Sequence, residues 1–377
     1  MTEINASQIN VPPPPAPPVE RLVLTRAPRR VHLPSADVSL RGAAALSAMW
    51  IIVILIGLVG ILLVAALPSI RNFGTSFLTT TEWRPNELEV PKRDAQGHIV
   101  IEDGETVMET IPPKFGALPF IWGTAVSSII ALVIAVPLSL FTAMFLVRIA
   151  PNWMKGPVSF LVEFLAAIPS IAYGIWGLFV LAPFLALVVE PSLKNILSRM
   201  PIMFWMLHDT VRVGSVVSYP ELAATGHDML CGGLVLSIMI VPIITAISRD
   251  VLRQVPRAQI EGTVALGATW WQSASEMFKY SRSGLFGAVI LGLARAAGET
   301  MAITMVIGNS NRIRMSLLAP AQTMSSLLAN EFAEASTDLH RAALSEVALI
   351  LLIMSLLFNV IARYLVVGKG GRTAQAL

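Results

Sequence analysis

Two ionisable side chains stand inside an apolar run near the end of the chain, Arg295 and Glu299 in LFGAVILGLARAAGETMAITMVIG, residues 285–308. Arginine's planar guanidinium fork matches the geometry of an oxyanion and keeps its charge in proteins. One such charge near the bilayer midplane costs about 2.5–3.5 kcal/mol on insertion scales, so two of them require a use. On a continuous helix the two residues are spaced i, i+4, within reach of an ion pair, although arginine first is the weaker order. Two readings follow. Either the pair neutralises itself and locks helices together, or Arg295 lies beside a route for an anion, with Glu299 holding it or accepting a proton from a protonated oxyanion.

A helical wheel at about 100° per residue asks which face holds the charges. Within about 60° of Arg295 lie Gly284, Ala288, Leu291, Gly292, Gly298, Glu299 and Ala302, while Phe286, Ile290, Leu293 and Thr304 lie opposite. Charge and small side chains share a face. Small residues let backbones approach or leave room for a solute, so this face is expected to point into a bundle or a cavity.

A second pattern sits in the polar stretch 249–284. Ile260, Val264, Leu266 and Trp270 recur at helical spacing, and Gly267 permits a tight turn between two short helices. Such a loop can present a helix to a soluble partner. Weaker candidates are Glu163 and Ser170, on either side of a Pro169 break; for Glu163, pairing with a loop arginine or capping is favoured over substrate contact. His208, Asp209 and Arg212 could contact a delivery protein or face water, and facing water is the favoured reading.

The chain that must position these residues is a membrane protein. Of its 377 residues 55% are hydrophobic and 14% charged, and the mean hydropathy is +0.70, outside the habit of soluble domains. A net charge of +3 suggests no nucleic-acid partner. The single cysteine, Cys231, excludes an internal disulfide and a multi-cysteine metal site. The five histidines form no pattern of a hydrolase triad.

Six stretches are long enough to cross about 30 Å of hydrocarbon, near 43–67, 117–147, 157–189, 231–249, 285–308 and 342–367. Pro137, Pro169 and Pro183 are expected to kink the second and third or to divide them into a span and a surface helix. Lysine and arginine concentrate in the N-terminal tail, in 148–156, in 249–282 and at the C-terminus. Residues 69–114 instead carry eight acids against five bases. The positive-inside rule then places both termini in the cytoplasm and the acidic segment outside. The expected organisation is a disordered Pro-rich tail at 1–41, a first span at 42–68, an acidic external segment at 69–114, a membrane-spanning core at 115–367 containing the loop 249–284, and a C-terminal tail at 368–377. Alternating residues within 84–114 suggest a small β-hairpin.

Glu261 followed by Gly267 resembles the EAA loop of ABC transporter permeases, with Gly262 and Thr263 replacing the two alanines. That resemblance implies that Glu261, Gly262, Gly267 and Ala268 belong to a loop docking on an ATPase. The chain itself lacks a G-x-x-x-x-G-K-[ST] phosphate cradle. More specific are "GLARAAGETMAITMVIGN", "EFLAAIPSIAYGIWGLFVLAP", "FLTTTEW", "FGALPFIWGTAVSSIIALVIAVPLSL" and "IMIVPIITAISRDVL". Together they resemble the PstC-type permease family of bacterial phosphate ABC transporters, apart from an acidic insertion at 86–113.

The resemblance implies an all-α polytopic fold of the type I ABC importer class in the bacterial inner membrane. It implies half of a phosphate-translocating pore completed by a PstA-type subunit, with a PstB-type ATPase dimer binding ATP-Mg and an external phosphate-binding protein. It maps the family's pathway residues onto Arg295 and Glu299. The chain is then a transport subunit with no catalytic or cofactor site of its own. Charge chemistry alone leaves open a sulfate- or molybdate-type permease, or a secondary anion transporter.

Overall fold

The computed structural model describes residues 34–92, 99, 101–102, 105–197, 211–213, 216–218 and 225–370. The Pro-rich run, His208 and Asp209 lie outside them, and of Arg212 only the backbone is described, in the short strand Val211–Val213. Among the described residues five helices are long and apolar enough to cross a membrane. They belong to α1 (Pro34–Phe73), α3 (Leu118–Ile149), α5 (Ser170–Ile196), α6 (Met229–Arg253) and α11 (Asp338–Gly370). Between them lie α2 (Ser76–Thr79), α4 (Asn152–Ala167), α7 (Arg257–Ala265), α8 (Trp270–Ala297), α9 (Met301–Val306) and α10 (Met324–Glu331).

The chain divides into two units at Gly57 and Leu58, inside α1. In the first, Leu46, Trp50, Ile51 and Ile54 are all more than half exposed, the surface of a helix that is apolar all round and suited to lipid. Helix α1 already begins at Pro34, ahead of the edge at Gly42 expected from hydropathy.

In the second unit the sequence punctuation decides where spans break. Pro169 has extended backbone and ends the approach of α4, so the stretch expected as one span is a surface helix followed by a span. Pro183 stays inside α5, which carries π turns at Gly177–Leu181 and Leu185–Val189. Pro137 stays inside α3.

Helices α3, α6 and α8 form the central packing around Ala131, Ala135, Leu236, Ile240, Ile244, Ala288 and Ala296. A Cβ on Gly292 would lie 2.6 Å from Ile244 Cδ1, and one on Gly284 2.6 Å from Val251 Cγ1. The small-residue stripe of α8 is therefore its seam with α6, where small side chains allow close backbone approach.

At the acidic end, Trp83 packs edge-on to Phe115 and Phe120 and donates from Nε1 to Glu331 Oε2 at 2.7 Å. The acidic insertion forms the hairpin expected there. Strand β1 (Leu88–Pro91) pairs antiparallel with β4 (Met108–Ile111), Leu88 opposite Ile111, and β2 (Ile101–Glu102) pairs with β3 (Glu105–Thr106).

Candidate functional site

The stretch 285–308 is not one helix. Helix α8 stops at Ala297, and after Gly298, Glu299 and Thr300 the chain resumes as α9 at Met301. Glycine is among the weakest helix formers, and the Glu299 carbonyl is taken by Ser325 Oγ, which donates to it at 2.6 Å. A wheel that runs unbroken through Glu299 therefore fails at its last turn.

Arg295 occupies the last turn of α8, where a cation is favoured by the helix dipole. It is exposed, and among the described residues it has no ion pair or hydrogen bond. It lines a cavity of about 510 Å³ with Ile243, Leu291, Ala294, Gly298 and Glu299. Gly292, one turn earlier, abuts Ile244 and Ile240 halfway along α6, so Arg295 stands near the middle of the length of α6, not beside either of its ends.

Glu299 forms no ion pair with Arg295. Its Oε1 instead accepts from the Ala302 amide at 3.3 Å, at the start of α9. The expected charged face thus separates into two: Gly284, Ala288 and Gly292 are packing against α6, while Leu291, Arg295, Gly298 and Glu299 border the open space.

In the loop after α6, Glu261 and Gly262 are exposed on α7. Gly267 has φ +80°, left-handed backbone that favours glycine, which is why the turn can be made there. Ala268 then donates to the Thr263 carbonyl at 3.1 Å. Leu266 is 90% exposed at the tip. Thr269 and Gln272 form a capping box that starts α8. The second of the two expected short helices is therefore the start of a 28-residue helix running to Arg295. One rigid element joins the loop to the cavity.

Glu163 finds the arginine expected of it: Arg249 Nη2 donates to its Oε1 at 3.1 Å, and Arg249 Nε to Asp250 Oδ1 at 3.0 Å. Ser170 opens α5 half-buried, with no side-chain hydrogen bond among the described residues.

The structure adds a pair that sequence reading missed. Asp228 and Glu190 are both fully buried at the acidic end, with Glu190 Oε1, Glu190 Oε2 and Asp228 Oδ2 lacking any donor. Asp228 caps α6, accepting from the Cys231 amide at 2.7 Å. Burial first, then the neighbouring Glu190, push its carboxyl up to about 7. An Asp directly before an apolar run was an available capping signal; its meeting with Glu190 was not.

With this geometry in place, comparison with known proteins is direct. Residues 135–368 match the family described as binding-protein-dependent transport system inner membrane component. The chain is 38% identical over 328 residues to the phosphate transport system permease protein PstC of Mesorhizobium japonicum, covering 87% of this chain and 89% of that one. Its counterpart in Haemophilus influenzae is 36% identical over 323 residues, 85% and 90% of the two chains. The Xylella fastidiosa protein is 40% identical over 291 residues, 77% and 78%. Matched over most of its length by such relatives, the chain belongs to the PstC family of phosphate transport system permease proteins, inner-membrane components of binding-protein-dependent transport.

Proposed function

We propose that this chain is the permease subunit of an ATP-driven phosphate importer and that Arg295 is the residue that meets the anion. The carrying observation is a guanidinium with no ion pair among the described residues, near mid-length of the bundle on a cavity of about 510 Å³. A phosphate oxygen pair fits the guanidinium fork bidentately. Glu299 braces the start of α9 beside it and repels a second anion.

In this reading the arginine-rich loops are cytoplasmic, and α8 with α9 makes a sixth, broken span. A PstA-type subunit completes the pore, and a PstB-type ATPase dimer holding ATP-Mg docks on Glu261, Gly262, Gly267 and Ala268. An external phosphate-binding protein delivers from the acidic side. ATP binding drives closure because it binds the closed ATPase dimer better, and α8 carries the displacement of the loop toward Arg295.

The test is reconstitution of the complete importer in liposomes with external binding protein and internal ATP. Arg295→Ala is expected to lower phosphate uptake at least about a hundredfold, the loss of a charge-assisted bidentate contact at about 3 kcal/mol, in a complex of unchanged composition. Uptake at the wild-type rate would remove Arg295 from the pathway.

A further inference from the structure

A second arginine-lined space lies at the opposite end of α8, away from the pore cavity. Arg148 is in the π turn that ends α3, Arg253 closes α6 and Arg257 opens α7. All three line one cavity of about 380 Å³, with Glu261 as its single acidic wall and Val147 and Leu252 among its apolar ones. The volume falls within the roughly 300–1,000 Å³ of small-molecule sites.

Their electrostatic situation is unlike that of Arg249, which stands one turn before Arg253 on α6 and holds two carboxylates. Among the described residues none of the three has an ion pair or hydrogen bond. Arg148 Nε is moreover shut from solvent with no acceptor, and an orphaned buried donor of this kind is destabilising until an acceptor reaches it. Three guanidiniums against one carboxylate leave an excess of positive charge around one space. Arginines at span ends satisfy the positive-inside rule wherever they point, but that rule gives no reason for three to converge unpaired on a single cavity.

We infer that Arg148, Arg253 and Arg257 form a binding site for a phosphate group, separate from the pore and facing the cytoplasmic membrane surface. The cytoplasmic placement rests on the orientation proposed above. Guanidinium forks supply paired donors to phosphate oxygens, and the apolar wall suits the glycerol and first acyl carbons of a phospholipid. The phosphate group is carried either by an anionic lipid of that leaflet or by free cytoplasmic phosphate. Because Glu261 also belongs to the docking loop, occupancy of the site bears on the surface that the ATPase would meet.

The experiment uses the full-length chain, delipidated in detergent, with binding followed by native mass spectrometry and thermal shift. The probes are inorganic phosphate and dioctanoyl phosphatidylglycerol, with dioctanoyl phosphatidylcholine as the neutral control. At least one anionic probe is expected to bind. Arg253→Gln and Arg257→Gln, both exposed positions, should each weaken it about tenfold, a typical charge-assisted contact, and together about a hundredfold. Glu261→Gln should tighten it, a gain that misfolding cannot produce. Because the proposed pore site would itself take phosphate, the phosphate arm is read in the Arg295→Gln background, where loss of binding on Arg253→Gln and Arg257→Gln reports this site alone, so failure of the pore assignment and failure of this one are separable. Binding of phosphatidylglycerol alone assigns the group to a lipid, and of phosphate alone in that background to the free ion. The inference is overturned if neither binds, or if the arginine variants bind like the wild type.

Discussion

Arg249 and Arg295 are both arginines on long helices of the bundle, and they have opposite surroundings. The Arg249 side chain is 8% exposed and is held between Glu163 and Asp250. Arg295 is exposed to a cavity and has no ion pair or hydrogen bond among the described residues. A guanidinium in a low-dielectric setting must be compensated. At Arg249 the compensation is permanent and joins α4 to α6, so the charge is architecture. At Arg295 no carboxylate supplies it among the described residues, and in the proposed reading the entering anion does. Asp228 shows a third solution: buried beside Glu190, its carboxyl is pushed up to about 7, toward the uncharged form.

The contrast is broken most directly by removing each arginine and measuring stability instead of transport. Arg249→Met is expected to lower the unfolding free energy by about 1–2 kcal/mol. This is below the 3–5 kcal/mol of a wholly buried pair, because the stranded Glu163 and Asp250 side chains are 58% and 59% exposed and can be rehydrated. Arg295→Met, which strands no partner, should move the thermal midpoint little in the same detergent. Equal losses would show that Arg295 is architecture too.

A smaller effect, confined to a pH window, tests the third solution. The Asp228 carboxyl is pushed up to about 7, whereas in the unfolded chain it titrates near about 4. The folded state therefore binds more protons between these values, and stability falls as pH rises. Its contribution is complete below about pH 4 and is lost through about pH 7. Asp228→Asn keeps a side-chain oxygen for the α6 cap and cannot ionise. Its thermal midpoint should fall less than that of the wild type between pH 5 and pH 8, and at pH 8 it should be the more stable protein. Parallel pH profiles would mean that the buried pair carries no such proton.

How much of this was legible in the sequence depends on the range of the interaction. Spans are announced by their own length and apolarity, and the Pro169 and Gly267 breaks by residues with restricted or unusual backbone. The break at Gly298 was not announced, because Gly284, Gly287 and Gly292 sit within α8 without interrupting it. What distinguishes Gly298 is the Ser325 hydroxyl that claims the next carbonyl, and Ser325 arrives from a later helix. The same holds for Glu190 with Asp228, and for Arg148 with Arg253 and Arg257. Each partner was readable as a polar residue at a helix end, but their convergence is a property of the packed chain.

The smallest expected effect decides what Glu299 does beside the free arginine. Its Oε1 accepts from the Ala302 amide, a function that an uncharged glutamine oxygen can also perform. If the cap is what matters to the fold, Glu299→Ala should cost about 0.5–1 kcal/mol and Glu299→Gln only a few tenths. If the carboxylate instead compensates Arg295 electrostatically, alanine and glutamine should be equally destabilising, since both remove the charge. Thermal unfolding of the two variants beside Arg295→Met separates these cases. Only in the second would pairing either variant with Arg295→Met restore stability, because only there does removing one charge strand the other.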